Sequence, residues 1–191
     1  MRTDRVHDAM LERLLGGPDL AADDALIALA DRFTGCDRAA VLTRLDDVAR
    51  ELFGAAALPP REQADRLASA LRDTLGLRPV THDHRALLVD HALATHRAHP
   101  LVIAAVGHEL GRRAGLTTRI CRVQTDWWLT LPGDEVLTAL GCSPGKTHPC
   151  GPLTAICPHQ LAYALLAHFG HDGPAAWHEL ARALLDRLPA H

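Results

Sequence analysis

The sequence predicts an α+β fold, mainly α, in which a small antiparallel sheet is flanked by N-terminal and C-terminal helical layers. Three observations predict it. Apolar residues recur at helical spacing through the first hundred residues, the period changes to strict alternation only near residue 118, and two more helical stretches close the chain. With 191 residues, 48% apolar, the chain can fill one good core, so a single domain over 1–191 is expected. Within it, residues 1–78 form a helical layer, 79–145 the core and 146–191 a loop with a terminal helix pair.

The elements follow in order. "LAADDALIALADRF" reads as a helix closed by Gly35, and "RAAVLTRLDDVARELF" sets Val41, Leu45, Val48 and Leu52 on one stripe. Pro59-Pro60 breaks the chain before a third helix that ends on Gly76. "DHRALLVDHALATHR" is read as one helix, with His84, Leu88, His91 and Thr95 along a face. "HPLVIAAVGHELGRRAGL" is another, separated from it because proline disfavours helical geometry in the residue before it. "TTRICRVQTDWWLTL" then alternates, opposing Ile120, Arg122 and Gln124 to Cys121, Val123 and Thr125, and "PGDE" turns it into the short strand "VLTAL". One hairpin, with at most a further strand, is the sheet these patterns support. "GCSPGKTHPCGP" reads as loop, and "HQLAYALLAHFG" and "AAWHELARALLDRL" as the closing pair.

Composition narrows the function. Twenty Lys+Arg against 23 Asp+Glu, with no run of like charges, argue against nucleic-acid binding. The apolar runs fall short of the roughly 18 residues of a membrane span, and no apolar signal core follows Met1, so a cytoplasmic protein without membrane partners is expected. Five cysteines, an odd number in a chain too large to need staples, point to free thiols rather than a disulfide framework.

The order of elements resembles the SirB-type branch of the transglutaminase-like superfamily, which has a papain-like core. The likeness lies in "TRLDDVARELF", in "THDHRALLVDHALATHRAHP", in "AAVGHELGRRAGL" followed by a strand, and in the closing helix pair, over roughly residues 20 to 188. It implies a reduced transglutaminase-like core, a central helix plus a small antiparallel sheet, with acyl-transfer ancestry. In active relatives a cysteine stands at the start of the central helix, where the dipole and free N–H groups lower its pKa, and the next strands bring a histidine and an acid. The nucleophile position here is Pro100, as in the SirB branch. The histidine register is taken by Asp126 before Trp127, and the acidic position falls among Leu137 to Leu140. The resemblance therefore implies a protein without the Cys-His-Asp triad, binding an unknown protein partner or small ligand in the degenerate groove through Pro100, Trp127 and His108. The competing reading is an enzyme whose groove has been rebuilt for hydrolysis, cyclisation or acyl transfer in a specialised biosynthetic pathway. Its catalytic candidates are Asp126, His96, His99, His148 and Cys150.

Individual residues allow plainer readings. His108 reads as a partly buried, hydrogen-bonded histidine, and Glu109 as a surface ion pair with Arg113. His96 and His99 flank the helix break and are placed to line the groove. Trp127 and Trp128 face opposite sides of a strand, one into the core and one under the C-terminal helices. The segment "THPCGPLTAICPH" sets His148, Cys150, Cys157 and His159 in near-mirror order. Two thiolates with two imidazoles suit zinc, but the spacing fits no established finger, so no cofactor is favoured and zinc is the alternative. A third reading makes Cys150 or Cys142 a nucleophile with His148 as base.

Overall fold

The computed structural model describes residues 20–123, 126–133, 136–138, 152–172 and 174–188. Its first helix, α1 (Ala22–Thr34), is buried nearly all round and ends at Gly35, whose φ of 78° lets its N–H close onto the Asp31 carbonyl. Ala21 occupies the N-cap and has no side chain to bond, and Asp23 takes the Asp24 N–H at 2.9 Å, so the Ala22 N–H has no partner within the helix. α2 (Arg38–Glu51) begins on Asp37, whose side chain accepts the Ala40 N–H at 3.1 Å, and buries the stripe Val41, Leu45 and Val48. α3 (Pro60–Ser69) starts on proline, then widens into a π turn over Ala70–Thr74 in which the Leu75 N–H reaches back to the Ala70 carbonyl.

The stretch read as one helix over residues 83–97 is broken. His84–Leu87 is a 3₁₀ turn, Leu88 is extended, and α4 spans only Val89–Thr95, so His84 and His91 do not share a helix face. Asp83 explains the tight turn, because its side chain accepts the Arg85 N–H at 3.0 Å. Two short strands, β1 (Arg78–Pro79) and β2 (Arg97–Ala98), pair in parallel and deliver the chain to the central helix α5 (Pro100–Arg113).

The segment 117–131, read as a single alternating strand, is two: β3 (Arg119–Val123) and β4 (Asp126–Thr130) pair antiparallel, Ile120 opposite Leu129 and Arg122 opposite Trp127. With β5 (Val136–Thr138) and β6 (Thr154–Ala155) they form a four-stranded antiparallel sheet of order β5-β4-β3-β6, larger than the hairpin the patterns suggested. α6 (Pro158–Asp172) and α7 (Ala175–Leu185) complete the described chain. No described helix is long and apolar enough to cross a membrane.

The core is laid around α5, which buries ten of its residues between α1 and α2 on one side and the sheet on the other. Helix and sheet approach closely at Gly107, where a Cβ would stand 2.8 Å from Leu129 Cδ2. Phe33, Phe169 and Trp177 tie α1, α6 and α7 together, with ring centroids 4.3 to 5.6 Å apart. Glu109 is not on the surface. It is 0% exposed, accepts the uncapped Ala22 N–H of α1 at 3.1 Å and takes the Arg112 guanidinium at 2.8 Å, while Arg113 turns to Asp23 and Asp46. A side chain 87 residues away thus supplies the cap that α1 lacks.

Candidate functional site at the start of the central helix

The site is built where β2 runs into α5. The parallel ladder holds Ala98 inward, and His99 follows as the N-cap with extended φ and ψ. Its backbone N–H donates to the Ala86 carbonyl at 2.8 Å, and its ring Nδ1 accepts the Leu101 N–H at 3.2 Å, which leaves the ring proton on Nε2. His99 is 7% exposed, and the ring of His168, from α6, lies against it with centroids 4.6 Å apart. Pro100 fills the first helical position, where its missing N–H costs nothing. The start of α5 is therefore closed by an imidazole cap backed by a second imidazole.

Trp127 is on the helix-facing side of the sheet, because it belongs to the core packed on α5, and the Arg122 guanidinium stands over its ring at 5.4 Å. Alternation then sends Asp126 to the opposite face, where it is exposed. This corrects the placement of Asp126 beside the helix start: a strand turns successive side chains to opposite faces, and the helix side is already held by Trp127. Trp128 joins Cys121 and Val123 on the face away from α5.

The remaining candidates separate. His96, at φ 60°, is exposed, and its Nδ1 bonds the Leu75 carbonyl at 2.7 Å, so its ring faces the end of the π turn rather than His99. His108 lies eight residues into α5, about 12 Å along the axis from Pro100. It is half-buried, with its ring 2.8 Å from Thr118 Oγ1, and burial pushes its pKa below the ordinary value. It serves the helix–strand corner and not the helix start. His148 and Cys150 lie outside the described residues, as does Cys142. Cys157 is exposed just before α6, and its N–H donates to the Gln160 side chain at 3.0 Å. That is half of a capping box, a structural use for "CPHQ" in which His159 occupies the first turn. Among the described residues no group of three or more His, Cys, Asp or Glu is arranged to hold a metal.

The other described thiols are also away from the helix start. Cys121 faces the outer side of the sheet, and Cys36 follows α1, its thiol pushed up to about 12 by burial and then by the charges of Asp90, Asp31 and Asp37. Sequence reasoning missed His168. The available signal was its position on the buried stripe Leu161, Leu165, His168, where an apolar residue is the ordinary choice.

The model of a family described as the transglutaminase-like superfamily matches residues 39–138, from α2 through β5. No curated protein matches, and no solved structure does.

Proposed function

The chain belongs to the transglutaminase-like superfamily, and on that premise we propose that it is a SirB-type member without thiol acyl-transfer chemistry, whose start of α5 binds a protein partner or small ligand. One observation carries the reading. The position that would use the positive end of the helix is Pro100, with neither thiol nor N–H, and the adjacent cap is the buried His99 backed by His168. A nucleophile needs an open helix start, with N–H groups free to receive an oxyanion. Here the Leu101 N–H is taken by His99. The recognition group presented instead is the exposed Arg122 guanidinium, which stands over the buried Trp127 indole.

Two measurements test the halves of this reading. Wild-type protein incubated with a glutamine peptide and a primary amine, or with p-nitrophenyl acetate, gives no turnover above buffer. Turnover abolished by Cys142→Ser or Cys150→Ser would overturn the non-catalytic half. In a fragment screen followed by ¹H–¹⁵N spectra, shifts gather at residues 97–103 and the Trp127 indole. Shifts gathering elsewhere, with none there, would overturn the binding half.

A further inference from the structure

The two-residue ladder ahead of the site brings together two cations. β1 and β2 pair in register Arg78 with Arg97, and both residues are exposed while Pro79 and Ala98 turn inward. Like charges set directly opposite each other on paired strands are unfavourable unless something compensates them. Arg78 Nη1 donates to the Arg72 carbonyl at 3.1 Å and the Leu77 carbonyl at 3.4 Å, both neutral. Among the described residues neither Arg78 nor Arg97 forms a salt bridge to a carboxylate. Asp73, which feels the charge of Arg78, is held by Arg72 through two hydrogen bonds of 3.0 and 3.2 Å, and these, then the Ser69 hydroxyl, keep its carboxyl below the usual range. Arg44 adds a fourth guanidinium on the Thr74 carbonyl at 3.2 Å, and Glu51 adds a second carboxylate, which accepts the Thr74 hydroxyl at 2.9 Å, so the guanidiniums outnumber the acids four to two.

Helix-end chemistry accounts for part of this. The carbonyls of Arg72, Thr74 and Leu75 end the π turn, and Arg78, Arg44 and His96 satisfy them. That use does not extend to Arg97, which no helix end requires. In a chain of net charge −3, a local surplus of guanidinium two residues before His99 is a point of recognition.

We infer that Arg78 and Arg97 together bind a dianionic oxyanion group, phosphate or dicarboxylate, of the ligand taken at the start of α5. Planar guanidiniums accept such groups through paired N–H bonds, and two of them side by side match a double charge. The inference rests on the binding reading above and gives that ligand its charge. Its test is separate: the binding reading is decided by whether fragments shift residues 97–103 and the Trp127 indole, and this one by whether Arg97→Gln weakens phosphate or succinate.

The probes are inorganic phosphate and succinate, titrated at constant ionic strength into the full chain while the arginine Nε–H resonances are followed. At least one probe shifts the Arg78 and Arg97 resonances saturably, and Arg97→Gln weakens that binding tenfold or more. Arg97→Lys, which keeps the charge without the fork, falls between. Arg61→Gln, an exposed arginine on α3, leaves it unchanged. Phosphate alone binding assigns a phosphate-bearing ligand, and succinate alone a dicarboxylate. Absence of a saturable shift with both probes, or equal weakening in Arg97→Gln and Arg61→Gln, overturns the inference.

Discussion

Replacing Glu109 by alanine should destabilise the protein by stripping the start of α1 of its acceptor. The substitution removes the acceptor of the Ala22 N–H, an uncapped helix terminus, which costs about 0.5–2 kcal/mol. It also leaves a buried donor unpaired, a penalty of about 1–3 kcal/mol that overlaps the first. Arg112 is half-exposed and keeps Asp23 at 3.8 Å, so it is left neither buried nor without an anion, and losing its pair with Glu109 adds about 1 kcal/mol. The sum is roughly 2–4 kcal/mol, or about 5–15 °C in Tm for a chain of this size. Glu109→Gln keeps one carbonyl oxygen for the Ala22 N–H and loses the charge, so roughly half that loss is expected. Urea melts followed by far-UV circular dichroism at neutral pH measure both. Alanine within about 0.5 kcal/mol of wild type, or glutamine as damaging as alanine, would refute the assignment of Glu109 as the α1 cap.

Other consequences can be checked alongside. Gly111→Ala should destabilise by about 1–2 kcal/mol despite a better helix propensity, because the new Cβ would meet the Thr118 Cγ2 at 2.8 Å, and a β-branched side chain has little room to turn; a urea melt decides the sign. His108 has a folded pKa below its unfolded value of 6.5, so the unfolded chain binds more protons between the two. Its contribution is full above 6.5 and is lost as pH falls through the folded value, so the acid loss of Tm should be shallower in His108→Gln. Cys36, its thiol pushed up to about 12 by burial, holds little thiolate at pH 8, so iodoacetamide mapping should find exposed Cys157 alkylated well before Cys36. Asp126→Asn should leave the melt within about 0.5 kcal/mol, its carboxylate being exposed on the outer face.

The helices that bury a simple stripe were legible because the stripe alone decides them: Val41, Leu45 and Val48 are inside as their spacing requires. The alternation of β3 was legible too, and Ile120 and Cys121 do face opposite sides. What escaped were features made by distant partners. Leu88 is extended because Asp83 draws the preceding residues into a turn and the ladder needs the chain at Arg97, which no periodicity records. Glu109 was read as solvated because the pattern shows the Arg four residues on, and not the bare N-terminus of α1 brought against it. β6 has two residues, too few for any alternation, and exists because Cys121 and Arg122 offer it an edge. At the site, Pro100 and His99 were legible, whereas the second imidazole arrives from α6 by packing alone.

The π turn at the end of α3 makes this stretch tolerant of chain length in a way that composition does not express. A π turn spends one residue more than an α turn over the same advance. Deleting one of the exposed residues Arg72 or Asp73 would let the ordinary helical ladder close with the residues on either side still in phase. Leu75 and Leu77 would keep their places in the core, and Arg78 its register with Arg97. The same loss inside α5 would turn everything downstream by about 100°, so homologous chains should differ by one residue between Ser69 and Leu75 and not within α5.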